Sequence, residues 1–236
     1  MTIGALFQAY PYLFTNIVSF VIFVVGGRWI IPKRHWRLMI ICGALNAPCF
    51  PFLIFLENEY WNPVRVGGWI LGVEDILCSF MVAAMSWFVI AIIFGRRMKL
   101  PDKLKILWPR YRIIAGISVI LFLLCYLAGL KGMTSLLTAC GSVGALLLLW
   151  KKERWPFALG GIAGFTVIYL VLVSIYFFIW PEFVLQWNMQ TFWGGLILGI
   201  PLGEIAWASV FGAYWPLFMM YILDLQKEPF PSQTGS

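Results

Sequence analysis

Trp193-Gly194-Gly195-Leu196-Ile197-Leu198-Gly199-Ile200-Pro201-Leu202-Gly203-Glu204-Ile205-Ala206-Trp207 is an apolar run with one acid well inside it, shortly after a proline. A weaker copy occurs earlier, as Gly67-Gly68-Trp69-Ile70-Leu71-Gly72-Val73-Glu74-Asp75-Ile76-Leu77-Cys78. Each copy follows a Trp-Asn pair, Trp61-Asn62 and Trp187-Asn188, so the two stretches suggest an internal repeat whose acids align across a two-residue gap. Glu74, Asp75 and Glu204 are the ionisable residues buried deepest in long apolar segments. A carboxyl group is costly to keep inside a bilayer, so such a residue marks function by default.

The rest of the chain calls for lipid as solvent. It is 62% hydrophobic and 11% charged, with thirteen tryptophans and twenty phenylalanines, more apolar surface than 236 residues could hide in water. The net charge of +7 comes from short basic clusters between apolar runs, the pattern of cytoplasmic loops rather than of a nucleic-acid surface. Cys42, Cys49, Cys78, Cys125 and Cys140 show no paired spacing and read as buried small hydrophobes. The single histidine, His35, falls in a basic loop, so no metal centre is expected.

Seven segments are long enough to span a bilayer: 4–26, 37–56, 68–94, 113–130, 133–150, 157–180 and 194–223. The first lacks a small-residue cleavage site and is expected to remain as a helix. Pro48 and Pro51 should kink the second. Basic loops (Arg28 to Arg37, Arg96 to Arg112, Lys151 to Arg154) alternate with loops poor in Lys and Arg, which places the N-terminus outside and the C-terminus inside. The expected fold is all-α and integral to the membrane. Residues 1–94 form a first three-helix repeat, 95–132 a basic loop plus linker helix, 133–226 a second repeat parallel to the first, and 227–236 a polar tail. Trp61, Trp69, Trp187 and Trp193 are expected in an interfacial belt.

Eleven residues separate Val64 from Asp75 and Trp193 from Glu204, which in continuous helices would put both acids about 16 Å along. Glu204, Trp207, Phe211 and Tyr214 follow the spacing of one helical face, so a carboxyl group heads a column of rings. Pro201, one turn before Glu204, should leave the carbonyl of Ile197 without its helical partner. Periodicity does not choose between Glu74 and Asp75. A desolvated carboxyl group can protonate an alkene, aromatic faces stabilise the cation formed, and a second carboxylate can remove a proton. These are the parts of a non-redox terpenoid cyclase, with Glu74, Asp75 and Glu204 catalytic and Pro201, Trp207, Phe211 and Tyr214 around the cation.

Ile200-Pro201-Leu202-Gly203-Glu204-Ile205-Ala206-Trp207 resembles the I-P-L-E-E-F-L-F signature of the membrane lycopene cyclase domain, and Leu71-Gly72-Val73-Glu74-Asp75-Ile76-Leu77-Cys78 resembles it again. That family comprises bacterial heterodimeric, archaeal and fungal fused carotenoid cyclases, and its helix count and length suit the whole chain. The resemblance implies acid-initiated ring closure of a linear carotenoid in the bilayer of a bacterial or archaeal plasma membrane. No cofactor or metal is implied; the partners are a polyprenoid substrate and lipid, and a homo-oligomer is compatible with the pattern. Gly203 stands in place of the first acid of one copy, and Gly72 in place of the proline of the other. These departures leave open another polyprenoid substrate. The rival from a different class is a small-solute transporter, since three-plus-one-plus-three helices also suit alternating access. A retinal photoreceptor would need a lysine in residues 194–223, which hold none.

Overall fold

The computed structural model describes residues 3–57, 59–95, 98, 100 and 104–225. The polar tail 227–236 and the loop residues Arg96, Arg97, Lys99 and Lys103 lie outside the described residues.

Among the described residues seven helices are long and apolar enough to cross a membrane, which makes this a multi-pass membrane protein. They are α1 (Pro11–Ile30), α2 (Lys33–Leu56), α3 (Val73–Phe94), α4 (Trp108–Leu127), α5 (Gly132–Trp150), α6 (Lys152–Ile179) and α7 (Leu202–Ile222). Pro11 and Pro109 stand in first turns, and Pro156 in the first α-helical turn of α6 (Trp155–Ile179), where a missing N–H costs nothing and a fixed φ helps. The kink expected at Pro48 and Pro51 takes another form: Ala47–Leu56 winds as a 3-10 helix.

Three sequence-based boundaries need correction. The first span begins at Pro11, after a separate short helix, Ile3–Ala9. The third begins at Val73, because Gly67 and Gly68 take positive φ (81° and 67°) and turn the chain before it can coil. The last begins at Leu202, because β1 (Leu196–Ile197) and β2 (Ile200–Pro201) form a hairpin around Leu198 and Gly199, both at positive φ. The acids therefore lie in the first turns of their helices, not about 16 Å along them. Pro201 caps α7 rather than kinking it, and Ile197 pairs with Ile200 across the turn. His35 is not in a loop either; it is buried in the first turn of α2, its ring parallel to that of Trp87 at 6.4 Å.

Helices α3 and α7 are the most buried of the seven, and their neighbours pack around them. Small residues allow this: Gly212 of α7 and Gly161 of α6 bring two backbones together where any Cβ would collide with the opposite carbonyl. At one end of the bundle the loop before α4 meets the end of α7, through Leu107 N–H to the Ile222 carbonyl and an Arg110–Asp224 ion pair. At the other end the two Trp-Asn pairs meet each other. Trp61 pairs with Trp187 in an antiparallel bridge, with Asn62 N–H donating to Gln186 O and Asn188 N–H to Tyr60 O. That bridge roofs the acids.

Candidate active site

Glu204 is the third residue of α7, and Asp75 is the third residue of α3. The two acids are equivalent in helix position, which pairs Asp75, not Glu74, with Glu204. Their surroundings differ, and the residue before each helix explains why. Gly72 has a backbone N–H and donates it to Asp75 Oδ2 at 2.7 Å, turning that side chain back over the helix end. Pro201 has no N–H to offer, so Glu204 is free to turn inward.

The Glu204 carboxylate lines a cavity of about 260 Å³ and collects three donors. Tyr60 O–H and Trp187 Nε1–H donate to Oε1 at 2.7 and 2.8 Å, and Tyr169 O–H donates to Oε2. Burial, then the charge of Glu204, pushes the Tyr60 phenol far up, so it stays a donor.

Asp75 lies one shell behind. Arg65 donates to it from Nε (2.7 Å) and from Nη2 (3.1 Å), and reaches Glu57 with Nη1 at 2.8 Å. Burial works against the Arg65 charge, but the hydrogen bonds it donates to Glu57 and Asp75 outweigh that and push the guanidinium up. Asp75 does not line the cavity, yet Tyr12 does, and Tyr12 O–H donates to Asp75 Oδ1 at 3.1 Å. Glu74 does not line the cavity either; its Oε1 accepts the Val66 N–H at 2.7 Å beside the glycine turn.

Trp207, Phe211 and Tyr214 all line the cavity, as their shared face predicts, and Phe211 stacks on Trp215 at 5.6 Å. Pro201 is buried but does not line it. Among the described residues no group of three or more His, Cys, Asp or Glu is arranged to hold a metal ion.

Sequence patterning missed Tyr12, Tyr60, Arg65, Tyr169 and Trp187. Arg65 carried a signal, as the lone basic residue in an acidic loop. The belt expected of Trp61 and Trp187 takes a different form: Trp187 is buried against Glu204, and Trp61 packs between Tyr12 and Trp187 at 4.7 and 5.7 Å. Trp69 is largely exposed, and Trp193 donates to Thr134. Tyr169 is one aromatic among many in α6, and nothing in its spacing singles it out.

Gly203 has a physical reason. A Cβ there would fall 2.5 Å from Tyr60 Cζ and 2.6 Å from Cε2, so the phenol could not reach Glu204 past any side chain. Gly203→Ala is therefore expected to displace Tyr60 and to lower stability by about 1–3 kcal/mol through overpacking. Thermal unfolding in detergent, beside Tyr60→Phe as reference, checks this; an unchanged midpoint would contradict the close approach.

Comparison with protein-family models, with curated proteins and with solved structures finds no match to this chain. The class that fold and site define is a seven-helix membrane protein with a buried, tyrosine-held carboxylate on an apolar cavity.

Proposed function

We propose that this protein is an integral-membrane terpenoid cyclase of lycopene cyclase type, closing a ring in a linear polyprenoid without a redox cofactor. One observation carries the reading: Glu204, the one carboxyl group among the described lining residues, heads an apolar cavity walled by aromatic rings. The lining extends along α7 from Glu204 to Phe218, fourteen residues or about 21 Å, a shape suited to a linear chain with one end at the acid.

In the reaction, Glu204 first takes up a proton from solvent and then delivers it to a terminal alkene carbon. Hydrogen bonds from Tyr60, Tyr169 and Trp187 stabilise the carboxylate left behind. The π-bond of a neighbouring alkene attacks the cation, and the faces of Trp207 and Phe211 shelter the charge while the ring forms. A different proton then leaves, either to the Glu204 carboxylate or to Tyr12 as it passes its own proton to Asp75. Product and substrate have the same mass.

The finer architecture belongs to the same proposal. Helices α1–α3 and α5–α7 form two parallel repeats linked by α4, a reading supported by the reciprocal bonds between the Trp61-Asn62 and Trp187-Asn188 segments. The alternation of basic loops supports an outside N-terminus and an inside C-terminus, and the family resemblance a bacterial or archaeal plasma membrane. A transporter gains from Asn16 and Asn46 in the cavity wall, but both asparagines come from one half, and the wall is mostly apolar.

Heavy water separates the two. Membranes containing the protein, given lycopene or a shorter linear terpenoid, are expected to yield an isomer of equal mass plus one solvent deuterium per ring, with no added cofactor. If every such chain returns unlabelled, while a polar solute equilibrates across vesicles only with the protein present, the transporter reading replaces this one.

A further inference from the structure

The cavity wall holds two amides that the cyclase chemistry does not use. Asn16 of α1 donates its side-chain nitrogen to the Tyr12 carbonyl at 2.9 Å, and Asn46 of α2 donates to the Ser79 carbonyl at 2.7 Å. A backbone carbonyl only accepts, so these bonds fix which end of each amide is nitrogen. Each amide then has its oxygen and one N–H left over. Neither oxygen has a hydrogen-bond partner among the described residues, and neither is among the polar atoms sealed off without one. Both residues are more than nine-tenths buried, and both line the cavity, so these free oxygens open onto the space the substrate would fill.

Their polar neighbours are different. Thr15 donates to the Tyr12 carbonyl, and Ser19 pairs with the Tyr176 hydroxyl at 2.6 Å, so the protein satisfies them internally. A hydrocarbon filling the cavity would leave two amide oxygens dry and unpaired, which is costly. A carboxylate or diphosphate would bring negative charge against those same oxygens and against Glu204. A neutral hydroxyl fits: it donates to one amide oxygen and accepts the spare N–H of an amide.

We propose that Asn16 and Asn46 form a subsite for a hydroxyl group on the substrate, so that this cavity prefers an isoprenoid alcohol to the pure hydrocarbon of the same chain. This rests on the terpenoid reading of the cavity, and it adds a specificity determinant on α1 and α2, separate from the acid on α7.

The test is a binding comparison that needs no turnover. The full-length protein in detergent is titrated with geranylgeraniol and with the same chain lacking its oxygen, following tryptophan emission, since Trp207 and Trp215 line the cavity. The alcohol is expected to bind on the order of 10- to 100-fold more tightly, the penalty for leaving buried polar groups unpaired. Asn16→Leu and Asn46→Leu should close that gap by tightening the hydrocarbon and weakening the alcohol. Equal affinity of the two chains for the unmodified protein would overturn the subsite, as would a gap that survives both substitutions. Should a variant not fold, the comparison on the unmodified protein still decides. Solvent-deuterium incorporation keeps the two proposals apart. A hydrocarbon bound as well as the alcohol and cyclised leaves the cyclase standing without the subsite. Selective binding of the alcohol, with neither chain isomerised, leaves the subsite standing without the cyclase.

Discussion

Glu204→Gln is expected to stop turnover and leave the bundle folded. Trp187 Nε1–H can only donate, so it holds the amide oxygen of the new side chain where Oε1 was. Tyr60 can donate to the same oxygen, and Tyr169 can reverse its hydroxyl to accept from the amide nitrogen. The shape and all three contacts survive, and only the transferable proton is lost. Removing one positioned acid costs on the order of 10²–10⁴ in rate, and more where that acid starts the reaction. Product formation by membranes matched for folded protein is the measurement. Normal turnover would remove Glu204 from the mechanism. Asp75→Asn beside it separates a direct role from the relayed one through Tyr12.

Arg65→Met is expected to have the largest effect on stability. Arg65 is buried and joins Glu57 to Asp75, whose carboxylate is fully enclosed. Taking away the guanidinium leaves both acids without the cation that they share. Breaking a buried pair by removing one partner costs about 3–5 kcal/mol, because the charge left behind is uncompensated. The loss should appear as a much lower yield of folded protein or a large fall in the thermal midpoint. Adding Asp75→Asn and Glu57→Gln to Arg65→Met should recover much of it, since neutral amides need no counter-charge. An Arg65→Met protein as stable as the original would show that the network does not hold the acid end of the bundle together.

Helix count and the column below Glu204 were legible because they depend on local properties. An apolar run of about twenty residues must satisfy its own backbone in lipid, so it coils whatever surrounds it. Residues three and four apart then share a face, and Trp207, Phe211 and Tyr214 duly reach one cavity. The same rule misled at residues 68–72 and 194–201, which are apolar but not helical. Positive φ at Gly67, Gly68, Leu198 and Gly199 turns the chain there, and hydropathy says nothing about φ.

By itself, then, the sequence determined a multi-pass helical membrane protein and three acids worth attention. Which acid faces the cavity was decided only in three dimensions. Asp75 and Glu204 are the same chemical kind at the same position of their helices. One is tied to Arg65 and to the N–H of Gly72; the other, behind a proline with no N–H, meets Tyr60, Tyr169 and Trp187 from 144, 35 and 17 residues away. Hydrogen bonds of that sequence separation depend on how helices pack, and no local pattern of apolar and polar residues encodes them.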